Sequence, residues 1–207
     1  MLKSLFFACC LFNIIANADV KTITIGMLPG GDPVVIEKES FILADKLQNK
    51  IGQPVQVYIS KNYSAMIEAL KSKKVDLAIL SAMTYVAAEK ETNVKVLLKK
   101  TWSNGAFYYS AIVTRADSKI KTIKELKNKK IAFVDEKSTS GYIYPQVYLR
   151  KKSISEKDFK SVVFSGNHAA SVEMLESGKV DAIAVFSDDE KGKNGAWTRF
   201  GKSKKLK

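Results

Sequence analysis

Two stretches of this chain are near copies of each other. Residues 62–76 read NYSAMIEALKSKKVD and residues 167–181 read NHAASVEMLESGKVD, with eight of fifteen positions identical at a constant offset of 105. Each copy runs from a strand-like segment through an Asn into a helix, then Lys-Val-Asp and a second apolar run. Amphipathic helices share composition, but the matched Asn, Glu, Leu, Ser, Lys, Val and Asp favour a true duplication. The separation is a domain's length and not the short period of a solenoid. It predicts two similar lobes, each built on a βαβ unit.

The rest of the chain alternates in the same way. Residues 22–27 form a short apolar strand, and residues 36–51 place Ile36, Leu43, Ala44, Leu47 and Ile51 at helical spacing, with Gly52 and Pro54 as the stop. Val55, Val57 and Ile59 alternate as a strand. A helix near 64–73, a strand at 75–80 and a helix at about 82–91 follow, then strand-like runs at 94–102 and 106–114. Thr122-Ile-Lys-Glu125 is a capping box opening a short helix. Beyond it come a strand at 130–135, a helix to about 152, a strand at 161–165, a helix at 168–177 and a strand at 180–186. Alternating β and α predicts a parallel-rich α/β fold, with ligands bound beyond the carboxyl ends of strands.

The N-terminus stands apart. Lys3, the apolar stretch Leu5 to Ile15 and Ala16-Asn17-Ala18 read as a secretory signal peptide over residues 1–18. The stretch is shorter than the roughly 20 apolar residues a spanning helix needs, and no other segment is a candidate for a membrane span. Cys9 and Cys10, the chain's two cysteines, both lie within it. The mature chain would be exported and free of disulfides, which suits a bacterial periplasm. Formal net charge is +13, and only Arg115, Arg150 and Arg199 among the basic residues are Arg. Arg is the residue for bidentate phosphate and base recognition, so a nucleic-acid partner is not expected. A lysine-rich surface helps attract small anions.

Residues 134–145, VDEKSTSGYIYP, carry the chemistry. Ser138, Thr139, Ser140 and Gly141 stand between an apolar strand and a helix-like stretch. One Ser or Thr suffices to cap a helix. Three hydroxyls at a helix N-terminus also make an anion site, because free backbone N–H groups and the helix dipole favour negative charge. The repeat pairs Tyr63 with His168, each in the first turn of its helix beyond a strand. Ser81 starts another helix, and of Tyr108 and Tyr109 alternation sends at most one to a cleft. Neutral donors such as these suit a partly protonated oxyanion. Asp188 and Asp189 follow the last strand and either meet a ligand ammonium or form a solvated loop. With one histidine, no H-E-x-x-H, no G-x-S-x-G and no Walker A, neither a metal site nor a known catalytic motif is present. No enzyme, cofactor or metal is therefore expected, although a hydrolase using Ser138 and His168 stays open.

The segments KNYSAMIEALKSKKVDLAIL (61–80), FYYSAIVTRADSKIKTIKELKNKKIAFVDEKSTSGYIYP (107–145) and FSGNHAASVEMLESGKVDAIAV (164–185) resemble the phosphate, phosphite and phosphonate periplasmic binding proteins of ABC transporters, the PhnD-like group. The resemblance covers nearly all of the mature chain. It implies a two-lobed type II periplasmic binding protein fold, α/β, with a small phosphorus oxyanion held in the interlobe cleft and delivered to an ABC transporter permease. It implies that Ser138, Thr139, Ser140, His168, Tyr63 and the hinge Tyr108 hold the ligand, with Asp188 loosely matching an acidic position that meets the amine of aminophosphonates. Ser81 stands where relatives commonly have glycine. The resemblance also places lobe 1 at 19–112 and lobe 2 at 113–207, with the family's return segment to lobe 1 missing. The same fold also serves as a ligand-sensing subunit of a signalling kinase.

Overall fold

The structure, a computed structural model, describes residues 20–101, 105–202 and 206. The expected signal peptide, with Cys9 and Cys10, lies outside them. Two sheets organise the chain. The first contains β1 (Ile23–Met27), β2 (Val55–Ile59) and β3 (Leu77–Ile79) in the order β2-β1-β3, all parallel. The second contains β4 (Tyr109–Thr114), β5 (Lys130–Phe133), β6 (Ser161–Phe164) and β7 (Ala182–Ser187) in the order β4-β7-β5-β6. There β5 runs parallel to β6 and β7, and β4 runs antiparallel to β7.

The duplicated units fold alike in detail. Helices α2 (Tyr63–Lys71) and α5 (His168–Glu176) open on Asn62 and Asn167, whose side chains accept from Ala65 N at 2.7 Å and Ala170 N at 2.8 Å. Each ends on a serine, Ser72 or Ser177, followed by a left-handed residue, Lys73 (φ 57°) or Gly178 (φ 72°). The closing aspartates do the same work. The Asp76 carboxylate accepts from Thr24 N and the Asp181 carboxylate from Lys130 N, both at 2.9 Å, tying each helix exit to the strand beside it. Within the repeat every one of these pairs keeps the 105-residue offset read from the sequence, and the strand amides held by the two aspartates, Thr24 and Lys130, are 106 apart.

The remaining helices follow local signals. Helix α1 (Pro33–Ile51) has Asp32 as N-cap, proline in its first turn and a left-handed Gly52 at its end. Helix α3 (Ala82–Glu91) follows Ser81. The Thr122–Glu125 capping box forms and opens a single 3₁₀ turn, Ile123–Leu126. A π-helical turn, Thr139–Ile143, leads into α4 (Tyr144–Lys151), so the helix expected to start at the hydroxyl run starts five residues later. A short α6 (Ala196–Phe200), not anticipated from sequence, packs on α5 and β7.

Alternation along the second sheet builds two cores. Ile131, Phe133, Ala182 and Ala184 face one side with Leu126, Leu149 and Phe159, while Ala132, Ile183 and Val185 face the other with Val172, Leu175 and Trp197. The first sheet's core is smaller, with Met66, Ala69 and Val75 buried at its centre. Residues 94–101, expected as a strand, have no regular structure, and Leu98 is 91% exposed. A strand needs a ladder partner, and among the described residues none lies beside this run. All six residues of β4 pair with β7, so membership of the second sheet begins at Tyr109.

Candidate functional site

The carboxyl ends of β1, β2, β3, β5 and β6 bring the starts of α1, α2 and α3, the 138–143 turn and the start of α5 to one seam between the lobes. The three hydroxyls of that turn divide the work. Ser138 is the cap: its Oγ accepts from Gly141 N at 3.1 Å, and it lies near enough to Tyr63 of the other lobe to offset part of the rise that burial gives that phenol. Thr139 reaches across. Its Oγ1 accepts from Met83 N at 2.8 Å and donates to Ser81 Oγ at 3.1 Å. Ser81 passes the chain to Thr84 Oγ1 (2.7 Å), and Thr84 donates to Lys137 O (3.1 Å). Tyr108 is hydrogen-bonded to Thr139 as well. Ser140 acts through its backbone, its carbonyl accepting from Ser110 Oγ at 2.7 Å. All three hydroxyl residues are buried.

Gly141 is required by close approach. A Cβ there would sit 2.5 Å from Val134 Cβ, and its carbonyl accepts from Val134 N at 3.1 Å. The turn is thereby pressed flat against the end of β5, which aims Ser138 and Thr139 at the first lobe.

The paired Tyr63 and His168 converge on the loop between β1 and α1. His168 N donates to Gly30 O at 3.4 Å, and a Cβ on Gly30 would lie 3.6 Å from the Tyr63 hydroxyl. Burial pushes the Tyr63 phenol up to about 12, with the Asp135 carboxylate adding to the rise. Burial also raises Tyr108. It pushes the His168 imidazole down to about 3, because a buried site penalises the charged form. His168 packs edge-on against Phe186, ring centres 4.9 Å apart, and its Nδ1 is buried with no hydrogen-bond partner in the structure. A buried polar atom without a partner is uncommon and calls for a reason.

Asp188, expected to meet a ligand amine or to form a solvated loop, is paired with Arg199. Its carboxylate accepts from Arg199 through both oxygens, at 2.7 and 3.2 Å. Asp189 holds the following loop, accepting from Lys193 N and Asn194 N. The solvated-loop alternative for this pair therefore becomes a structural one: the two aspartates fasten 189–199. Sequence reasoning missed Gly30, Thr84, Ser110 and the Met83 amide. Only Gly30 left a sign, the Pro29-Gly30-Gly31 run between a strand and a helix cap; the others are ordinary residues placed by the fold.

Together the seam offers hydroxyls, helix-start amides, two phenols and one neutral imidazole. Among the described residues no group of three or more His, Cys, Asp or Glu could hold a metal ion, and no helix is long and apolar enough to cross a membrane. The arrangement suits a small oxyanion bound by neutral donors.

Comparison with known proteins agrees in kind. Residues 25–192 match the profile of a family described as ABC transporter, phosphonate, periplasmic substrate-binding protein. A probable ABC transporter phosphite-binding protein of Prochlorococcus marinus is 26% identical over 185 residues, 84% of this chain and 62% of that one. A phosphate-import protein of Mycolicibacterium smegmatis is 30% identical over 178 residues, 80% of this chain and 55% of that one. The chain thus spans little more than half the length of these relatives. The Prochlorococcus protein in complex with methylphosphonate superposes with a TM-score of 0.78 at 24% identity, over 91% of this chain and 71% of that one. A binding-protein component of a phosphonate ABC transporter from Pseudomonas aeruginosa gives 0.81 at 19% identity, over 91% and 64%. At these identities the structures establish the two-lobed periplasmic binding protein fold.

Proposed function

Since the chain belongs to the phosphonate-binding periplasmic family of ABC transporter substrate-binding proteins, we propose that it binds a small phosphorus oxyanion between its lobes and delivers it to a permease in the periplasm. The observation that carries this is the cross-cleft bonding of the 138–141 turn. Ser138 meets Tyr63, and Thr139 meets Ser81 and the Met83 amide. The same groups that hold the lobes together are the donors an oxyanion needs. A ligand in the seam adds bonds from both lobes to one anion beside the direct lobe-to-lobe bonds, which is how hinge closure reports occupancy to a partner.

In this reading Tyr63, Ser81, Tyr108, Ser138, Thr139, Ser140 and His168 surround the ligand, with Gly30 admitting it by lacking a side chain. Asp188 is outside the set because Arg199 engages it. Hydrogen bonds to a charged group contribute about 1.5–3 kcal/mol each. Four or five of them reach the roughly 8 kcal/mol of micromolar binding. The relatives' printed ligands, phosphite, phosphate and methylphosphonate, share the tetrahedral oxyanion head that such a donor set recognises.

Calorimetric titration of the chain with phosphite, phosphate, methylphosphonate and 2-aminoethylphosphonate tests the proposal. Saturable micromolar binding of at least one is expected. A folded protein that gives no heat with any of the four would overturn it.

A further inference from the structure

Most of the large apolar side chains left exposed among the described residues lie in the first lobe. Four of them form a pattern. Val34 (73% exposed), Val35 (47%), Phe41 (58%) and Ile42 (46%) all stand on α1, as two adjacent pairs seven residues apart. Seven residues are close to two helical turns, so both pairs fall on one face. It is not the face that α1 gives to its own sheet. There Ser40 and Ala44 are buried and Ile36 and Leu47 half-buried, where the helix packs on β2 and β1. At about 100° per residue, the exposed four centre on the opposite side. Single exposed apolar residues are ordinary, whereas a contiguous apolar patch marks an interaction surface.

The charges on the helix indicate what this face fits. Lys38 and Asp45 lie along its middle, and Glu39 and Lys46 along one edge, each pair again seven residues apart and all four exposed. The members of each pair stand about 10 Å apart along the axis, too far for a bridge within one helix, where partners sit three or four residues apart. Among the described residues none of the four is in an ion pair. An antiparallel second α1 changes that. A two-fold axis beside Phe41 and Ile42 sets Lys38 opposite Asp45 of the second copy, and Glu39 beside Lys46 of the second copy. The same operation repeats both contacts with the roles exchanged, as an isologous interface requires. Phe41 and Ile42 then meet their own equivalents at the axis. Other occupants fit less well. Helix α1 sets Glu37, Glu39 and Asp45 against Lys38, Lys46 and Lys50. It is therefore neutral, and selects neither an anionic lipid surface, which calls for a Lys- or Arg-rich polar face, nor an acidic partner.

We propose that the outward face of α1 is a self-association surface, on which a second copy of the chain docks through its own α1, antiparallel, about a two-fold axis at Phe41 and Ile42. A single helix pair buries less than the roughly 800 Å² per partner of a stable interface, so the dimer is a reversible one that forms at high protein concentration. The axis lies two turns beyond the start of α1 at Pro33, and so away from the seam. The proposal does not depend on what the seam binds.

Sedimentation velocity over the micromolar to millimolar range tests it. The weight-average sedimentation coefficient should rise with concentration. Phe41→Ser together with Ile42→Ser should abolish the rise. Lys38→Asp sets like charges opposite each other and should weaken association about tenfold or more. Adding Asp45→Lys to it should restore the parent behaviour, because the pair is then reversed and not removed. All four residues are exposed, so circular dichroism and phosphite titration should match the parent in each variant. A chain that sediments as a monomer throughout overturns the proposal. So does association that survives the Phe41 and Ile42 changes or ignores Lys38→Asp, and so does a Lys38→Asp defect that Asp45→Lys does not repair. None of these outcomes touches the binding reading.

Discussion

Thr139→Val removes the hydroxyl that joins the lobes while keeping the branched shape. In the structure Thr139 Oγ1 accepts from Met83 N at 2.8 Å and donates to Ser81 Oγ at 3.1 Å, and the residue is 2% exposed. Valine leaves the Met83 amide without a partner at the buried seam. A donor stranded in that way costs about 1–3 kcal/mol. The Ser81 oxygen also loses its donor but keeps its contact with Thr84. In the open arrangement the same amide meets water, so the cost falls on closure and not on folding. Closure is the binding-competent state, and apparent affinity scales with its population. At 1.4 kcal/mol per factor of ten, phosphite binding should weaken by about 5- to 150-fold. Calorimetry measures that change, and small-angle scattering should show a larger radius of gyration for the ligand-free variant. Thermal unfolding should move little. Affinity within twofold of the parent, or a loss of stability as large as that of a core variant, would refute the reasoning, because either means that Thr139 does not act on the open–closed balance.

Three further outcomes follow from the geometry. Gly141→Ala places a methyl 2.5 Å from Val134; overpacking of this kind costs about 1–3 kcal/mol, which lowers the unfolding midpoint by roughly 2–10 °C for a chain of this size in a calorimetric scan. His168 takes a proton near 6.5 when unfolded and near 3 when folded. Between those values the unfolded chain binds more protons, so stability should fall as pH is lowered below about 6.5, on the order of 1 kcal/mol per pH unit. Urea midpoints from pH 7 to 4.5 check this, and a His168→Gln variant should lose that part of the slope. Asp188→Asn weakens the tie to Arg199, whose side chain is half exposed, so stability should drop by no more than about 1 kcal/mol. The affinity ratio of 2-aminoethylphosphonate to methylphosphonate should be unchanged; a selective loss for the amine would return Asp188 to the ligand.

The sequence by itself determined whatever is encoded within a few residues or in a repeat. Asn62 and Asn167 announce helix starts, Gly52 announces a helix end, and Thr122 with Glu125 announces a capped turn. Each bond concerned spans two to four residues, so its signal is local. The 105-residue repeat fixed the two-lobed plan and paired Tyr63 with His168, since copies of one βαβ unit place equivalent positions at equivalent strand ends. The family's resemblance added the ligand class. Tertiary structure alone decided how the three hydroxyls divide. Ser138 caps, Thr139 crosses to residues 56 and 58 positions away, and Ser140 offers only its carbonyl to Ser110. No spacing distinguishes three adjacent hydroxyls, because what separates them is where the opposite lobe lies. The run at 94–101 has the composition of a strand and is not one, because a strand exists only with its partner. Asp188 reads as a free carboxylate in the chain and is a held one in the fold, because Arg199, eleven residues on, comes back to it through α6.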